Sequence, residues 1–517
     1  MQWQIGLFEK EVRNINVLNQ NDSTHFSSID HSLCPQGGHF STVMTGYLKR
    51  RVNADEKIRE LLIQMEQLYE GGQSGLKPEY QCYVIYLDSL VKSQKPGSAE
   101  KAEKLLSRLE RLYLNLEDSE NKLNNYAYNS VMFAWANSVN RREGFIRVSK
   151  IIQRMKTLHE ETGNEELKPD KVSYSTLMMA IMRYHKSGVG EKCFEILTEM
   201  EKVYSNGNKS LQPDIITYAN VIKALSLSKE AKKAEDLLGK VENLAADGTC
   251  DYPTVACYNH VMSAYVRGRS NPVRKADEIL ERIRLAKVNG NKKISPDINT
   301  VSTYLGAIES DNFANATLQN VTTAKALLKE VYEREGNRKF KPNAKLWMSL
   351  INASIVVSPK FMKAEEAAST FKSMKDSGVS LNRKDAIHAC NLVLKGCKWT
   401  RSDTKGSDQA LDIAWDILHM LQTNVKLQPD STSYYYSLWV CHQHISDKRE
   451  REEEIKSLIE NCCKNGFLSK HILESMLVIA SDEMFQTIFG RGKDSSLALD
   501  SFHPEWSCHK TKHRSRW

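Results

Sequence analysis

The sequence predicts an all-α protein, a solenoid of about ten helix-turn-helix repeats. Three observations carry this. A Pro-Asp-aromatic phrase recurs along the chain, an apolar ladder of helical spacing follows each copy, and Gly/Asn-rich breaks separate a ladder from the next phrase. A chain that repeats one phrase is read by its period before its composition.

The phrase is clearest in LQPDIITYANVIKALSLS, Leu211–Ser228, and in LKPDKVSYSTLMMA, Leu167–Ala180. It returns as YPTVACYNHVMSAY, ISPDINT, FKPNAKLW and LQPDSTSYY. The residue five after the proline serves as the anchor: Phe40, Tyr83, Tyr128, Tyr174, Tyr218, Tyr258, Val301, Trp347, Cys390 and Tyr434, spaced by 40–46 residues. Two units break the rule. Leu123 fills the proline slot before Tyr128, and LNRKDAIHACN before Cys390 aligns in two registers four residues apart.

The ladders run i, i+3, i+4, i+7, the stripe of an amphipathic helix. They read from Ile58-Leu61-Leu62-Met65 through Ala234-Leu237-Leu238-Val241 to Ile455-Leu458-Ile459-Cys462. Each unit is therefore two helices. Helix A starts just after Pro-Asp, where proline suits a first turn and Asp suits the positive end of the helix dipole. Helix B carries the ladder. Breaks such as Ser205-Asn206-Gly207-Asn208 close the unit. One such pair cannot bury its own apolar face; stacked pairs can.

The organisation expected is a polar extension over 1–33, the repeat solenoid over 34–466, capping helices over 467–490 and a basic tail over 491–517. The eleven cysteines show no disulfide spacing, and Cys193, Cys390 and Cys462 stand in apolar slots, which points to packing roles in a reducing compartment. The formal charge of +8 permits a polyanionic partner without demanding one. No apolar run approaches the roughly 20 residues of a membrane span. The first residues, with Glu9, Glu11, Asp22 and Asp30 and few arginines, make a poor organelle transit peptide.

On PDIITYANVIKAL, PDKVSYSTLMMA and CYNHVMSAY, each followed by its ladder, the unit resembles the pentatricopeptide repeat. The 40–46-residue spacing is longer than usual for that family and is similar to that of algal or protist members. The segment FHPEWS, Phe502–Ser507, is similar to a closing segment of such proteins. The resemblance implies a right-handed superhelix that binds single-stranded RNA along its A helices, one base per repeat. It implies that the residue after the anchor and the residue after the next proline hydrogen-bond a base, while an apolar residue two before the anchor sandwiches it. Carried over, Asn129 with Asp170, Asn259 with Asp297 and Asn391 with Asp430 resemble uracil readers. Ser175 with Asp214 resembles a guanine reader, and Ser302 with Asn343 an adenine reader. Val172, Ile216 and Ala256 would be the sandwiching residues. The target is then U-G-N-U-A-N-U, read 5′ to 3′. Asp after Pro also suits a plain helix start, and it is the paired recurrence that favours reading.

No catalytic constellation emerges. His159-Glu160-Glu161 and His503-Pro504-Glu505 match half of a zinc-deaminase signature, but no Cys-x-x-Cys completes it. Cys441-His442-x-His444 lies on a repeat helix and Cys508-His509-x3-His513 in the tail, and neither is read as a metal site. There is no P-loop and no dinucleotide Gly motif. The expectation is a monomeric RNA-binding protein with no enzyme activity, no metal and no cofactor. It would act on mitochondrial or plastid transcripts in stabilisation, processing or translation. Other ribonucleoprotein subunits are candidate partners, and a membrane is not. The rival is a helical scaffold that binds protein in its groove. A groove lined by Asn, Ser, Asp and positive charge would favour RNA, and an apolar or acidic one the scaffold.

Overall fold

The computed structural model describes residues 37–50, 53–113, 123–184, 187–291, 294–310, 316–339, 343–401, 406–424, 427–493 and 502–508. The expected N-terminal extension, the Pro35 and Pro342 slots and most of the basic tail lie outside them. The regular structure of the described residues is helical throughout. The chain is an all-α repeat solenoid, and its helices fall into two compact units, Met1–Pro253 and Thr254–Trp517.

The first unit holds five pairs. They are α1 (Gly37–Arg50) with α2 (Ala54–Glu70), α3 (Tyr80–Ser93) with α4 (Ser98–Tyr113), α5 (Asn125–Ala136) with α6 (Arg141–Thr162), α7 (Lys171–Tyr184) with α8 (Val189–Ser205), and α9 (Ile215–Leu227) with α10 (Ala231–Ala246). The second holds α11 (Val255–Gly268) with α12 (Pro272–Val288), α13 (Ile298–Ser310) with α14 (Leu318–Lys339), α15 (Ala344–Val357) with α16 (Lys363–Asp376), α17 (Arg383–Trp399) with α18 (Gly406–Thr423), and α19 (Ser431–His444) with α20 (Lys448–Lys464). Two further helices, α21 (Lys470–Ile479) and α22 (Asp482–Phe489), follow α20. Within each unit, helix A of one pair packs on helix A of the next, and helix B packs on the following helix A.

The ladders are why. Every anchor is buried, and the ladder residues are buried except Ile196, Ala368 and Ile413, which are half-buried. The ladder covers the face of helix B that meets its own helix A and the next one. Burial pushes the thiol of Cys82 up to about 11 and those of Cys193, Cys390, Cys441 and Cys463 up to about 12, so these cysteines are packed as neutral apolar side chains.

The start of helix A differs from the expectation in one respect. The proline is not in the first turn. It stands one residue outside the helix, buried, and the following Asp is the cap. Two residues earlier an aliphatic side chain, Leu76, Leu167, Leu211 or Ile294, is also buried. The proline therefore acts as an apolar wedge and holds the approach extended. Leu123, 1 % exposed, fills the same space, and Asn124 takes over the cap by accepting from the Tyr126 amide.

The anchor tyrosines have a second role. Tyr83 donates its hydroxyl to Glu66 at 2.9 Å, Tyr128 to Glu110 at 2.7 Å and Tyr218 to Glu201 at 3.0 Å. Each acid stands on the previous helix B and also pairs with a cation on the next: Arg108, Arg154 and Lys240. Where the anchor is Val301, Tyr304 one turn later donates to Asp277 at 2.6 Å, and the Asn320 amide of the next helix B takes the place of the cation at 3.0 Å. Three helices are thus tied at one carboxylate, with hydrogen bonds of the stronger, charge-assisted kind.

At the C-terminal end, Phe485, Phe489 and Phe502 join one apolar cluster with α20 and α21, and Phe489 meets Phe502 at 5.5 Å. The Leu468 amide donates to the Trp506 carbonyl at 2.7 Å. The Phe502–Cys508 stretch of the sequence-defined tail is thereby packed against the end of the repeats.

Candidate nucleic-acid interface

The expected reading residues sit at the N-terminal ends of neighbouring A helices, and three of the five pairs are brought together. Asn129 donates its amide to Asp170 at 3.1 Å, Asn259 to Asp297 at 2.9 Å and Asn391 to Asp430 at 3.0 Å. Each bond crosses from one hairpin to the next. Each asparagine is buried, at 8 %, 5 % and 5 % exposure respectively, and each aspartate is half-buried.

The aspartates do two jobs. Asp170, Asp214, Asp297 and Asp430 cap their helices by accepting the amides of Ser173, Thr217, Thr300 and Ser433 at 2.8–2.9 Å. The hydroxyls of those four residues bond the same carboxylate oxygen at 2.9–3.1 Å. Ser173 also reaches back to the Asn129 carbonyl at 2.7 Å, and Ser433 to that of Asn391 at 2.6 Å. In the third pair the Asn259 carbonyl is buried and receives no hydrogen bond from a described residue. Sequence reasoning missed the Ser or Thr just before the anchor. The Asp-x-x-Ser/Thr spacing of a capping box was the available signal.

The other two pairs are not closed. Ser175 lies 3.4 Å from Thr217 Oγ1, while Asp214 is held by Lys171 at 3.2 Å. Burial raises the Asp214 pKa, but the Thr217 amide and hydroxyl and then the Lys171 ammonium outweigh it, so the net shift is downward. Ser302 is exposed, and Asn343 is occupied as the cap of α15 through the Leu346 amide at 2.8 Å. No hydrogen bond joins Ser302 to Asn343 in the described structure.

Val172, Ile216 and Ala256 are exposed in the first turns of α7, α9 and α11. Tyr126 holds the same place on α5 at 48 % exposure, its hydroxyl donating to Asp88 at 3.0 Å. It too went unread, although it stands two residues before its anchor.

Residues 205–268 match the pentatricopeptide repeat domain. That stretch of the chain therefore carries the pentatricopeptide repeat signature. A search of curated proteins found none that matches. Among solved structures, the chain is similar to the pentatricopeptide repeat protein PPR10 in complex with an 18-nucleotide psaJ RNA element, at 16 % identity and a TM-score of 0.49. That match covers 88 % of this chain and 55 % of the other. It is also similar to PPR10 from maize, at 16 % identity and a TM-score of 0.40 over 88 % of this chain and 58 % of the other. The chain thus spans a little over half the length of these structures.

In the second unit, cations stand among aromatic rings on the A helices of these repeats. Lys395 lies 4.6 Å from the Trp399 ring centre and donates to Asn352 at 3.0 Å. Lys398 lies 4.4 Å from the Tyr435 ring and 4.6 Å from that of Trp439, and donates to the Tyr435 hydroxyl at 2.7 Å. Asn391, Lys395 and Lys398 follow an i, i+4, i+7 course, so they share one face of α17. Burial lowers the Lys395 pKa by disfavouring its charged form.

The Cys441-His442-x-His444 motif serves packing, while His509 and His513 of the tail motif lie outside the described residues. His444 bonds Ser407 at 2.7 Å and the Cys397 carbonyl at 3.1 Å, and His442 packs edge-on to Trp439 at 5.8 Å. No group of three or more His, Cys, Asp or Glu among the described residues is placed to hold a metal. No helix among them is long and apolar enough to cross a membrane.

Proposed function

We propose that this chain binds single-stranded RNA with sequence preference, about one base per repeat. The observation that carries this is the recurrence of one polar pair, Asn to Asp across adjacent hairpins, at Asn129–Asp170, Asn259–Asp297 and Asn391–Asp430. A plain helix start needs the aspartate but not the buried asparagine facing it. A base that presents an acceptor and an N–H exchanges with this pair one hydrogen bond for one. Ser175 with Asp214 and Ser302 with Asn343 are the corresponding readers in repeats whose pair is open. Tyr126, Val172, Ile216 and Ala256 supply stacking and apolar contact. Lys395 and Lys398, set between rings, supply charge and ring faces together, as grooves for single strands do.

In this reading the protein is a monomer without catalysis of its own. It occupies a single-stranded segment of a mitochondrial or plastid transcript and so governs its stability, processing or translation, alone or within a ribonucleoprotein. The test is selection from a randomised single-stranded RNA pool by the purified chain at near-physiological salt. Enrichment of U-G-N-U-A-N-U is expected. Salt-sensitive binding without enrichment would sink the residue assignments, and no RNA binding would leave the protein-scaffold function in its place.

A further inference from the structure

The three Asn–Asp pairs differ on the carbonyl side of the asparagine. Ser173 and Ser433, each buried just before its anchor, send the hydroxyl back to the preceding hairpin. The Ser173 hydroxyl lies 2.7 Å from the Asn129 carbonyl and 3.0 Å from Asp170. That of Ser433 lies 2.6 Å from the Asn391 carbonyl and 3.1 Å from Asp430. A hydroxyl has one proton to give, and in both repeats the asparagine carbonyl is the nearer acceptor. Thr300, buried in the same slot, keeps its hydroxyl on its own cap. It donates to Asp297 at 2.9 Å and accepts the Asp297 backbone amide at 3.0 Å. Thr217 behaves alike, at 3.0 Å from Asp214 and 3.4 Å from Ser175 of the preceding hairpin. Threonine carries a methyl group beside its hydroxyl and is the stiffer of the two at χ1. The Asn259 carbonyl is thus left, on a side chain 5 % exposed, with no donor among the described residues.

A side-chain amide offers N–H on one side and C=O on the other, and a half-turn exchanges them. At Asn129 and Asn391 the half-turn breaks the serine hydrogen bond, so the N–H side stays turned to the aspartate and to a base that displaces it. Uracil answers this N–H with its O4. Cytosine presents its N4 amino group there, a donor against a donor. At Asn259 the half-turn breaks no bond on the carbonyl side, and it gives a partner to a carbonyl that is costly to leave buried without one. The cytosine amino group then meets an acceptor. The other polar atom of the cytosine edge, N3, faces an aspartate in all three repeats, so the contrast between repeats lies in the asparagine alone.

We propose that the residue just before the anchor sets how strictly the preceding repeat discriminates uracil from cytosine. Ser173 and Ser433 are positioning residues that hold the reading amide as a donor and make their repeats strict for uracil. Thr300 leaves Asn259 free to turn and makes that repeat tolerant of cytosine. The proposal rests on the RNA reading proposed for these pairs.

The full chain is titrated by fluorescence anisotropy with a labelled U-G-A-U-A-A-U strand and with three strands carrying one U→C change, at the first, fourth or seventh base. These bases belong to Asn129, Asn259 and Asn391 in turn. The loss of affinity on U→C is expected to be about fivefold larger at the first and seventh bases than at the fourth, the worth of one neutral hydrogen bond. Thr300→Ser should raise the loss at the fourth base to that of the other two. Ser433→Thr should lower it at the seventh, and Ser173→Thr at the first, each leaving the other bases unchanged. Every variant places in this slot a residue that the chain already uses there, and an unchanged melting temperature confirms its fold. A serine or threonine that served only the helix cap would shift the affinity for all four strands together and leave the ratios alone. Equal losses at the three bases, or ratios that the variants do not move, overturn the proposal while uracil preference itself stands. No binding, or binding indifferent to all three changes, overturns the RNA reading and the proposal with it.

Discussion

Asn391 and Asp430 hold two consecutive repeats together: the amide of the first bonds the carboxylate of the second at 3.0 Å, and Ser433, capped by that carboxylate, returns a hydroxyl to Asn391 at 2.6 Å. The same three-residue lock joins Asn129, Asp170 and Ser173. A residue assigned to base reading is therefore also a structural one, and the two roles separate in stability measurements. Asp430→Ala removes the cap of α19 and leaves the Asn391 amide without its acceptor. It is expected to cost about 1–2 kcal/mol for the cap and more for the stranded amide. Asp430→Asn keeps an acceptor oxygen at the cap and should lose less. Chemical denaturation of the two variants gives the order, and equal stability of Asp430→Ala and wild type would contradict the lock.

Tyr126 offers the opposite test, a contact with RNA whose loss leaves the fold alone. It is half exposed, and its hydroxyl bond to Asp88 lies at the surface. Tyr126→Ala should keep folding stability within about 0.5 kcal/mol. It should weaken RNA binding by about 1–3 kcal/mol, the usual cost of deleting a stacking ring. Fluorescence anisotropy with a labelled single strand measures the second quantity. A variant that binds as tightly as wild type would remove the first-turn row from the interface.

The repeat was legible because one register governs every layer. The proline offset fixes the anchor, the anchor fixes the ladder, and the ladder residues are the ones buried. Legibility failed where a local signal competes with packing. Before Cys390 the sequence allowed two registers, and the structure uses both. α17 starts at Arg383, capped by Asn382, one turn earlier than its counterparts, while packing follows Cys390, which is 1 % exposed and places Asn391 on Asp430. The helix gains a turn and the contact register is kept. The reading residues were legible as positions, but not as partners of one another. A single-repeat view cannot show that Asn129 and Asp170, 41 residues apart, meet.

Two glycines on B helices of the first unit should respond to alanine with opposite signs. A Cβ on Gly190, at the start of α8, would lie 3.1 Å from the Leu225 Cα and 2.8 Å from Glu230 Oε1. The backbone of α9 cannot give way easily, so Gly190→Ala is expected to destabilise by about 1–3 kcal/mol, as overpacking does. A Cβ on Gly239, inside α10, meets nothing within 4 Å. Gly239→Ala should stabilise by about 0.5–1 kcal/mol through helix propensity alone. Thermal melts of the two variants, run against wild type, read both signs.

Asp214 makes the stability of the first unit sensitive to acid, and the direction follows from its surroundings. The Thr217 amide and hydroxyl and Lys171 favour its ionised form enough to overcome its burial, so its folded pKa lies below its ordinary 3.8. A carboxylate depressed on folding contributes stability that is fully present above the unfolded value. That stability is lost as pH falls through the folded one, because protonation is then needed in both states. Comparing wild type with Asp214→Asn should therefore show a stability difference that is constant from neutral pH down to about 4 and shrinks below it. Lys171→Ala removes one of the causes, so in that background the contribution should be smaller and its loss complete at a higher pH. The measurement is the denaturation midpoint of the three proteins across the acid range. An Asp214→Asn difference that grows as the pH is lowered would have the wrong sign and would exclude a stabilising role for the ionised cap.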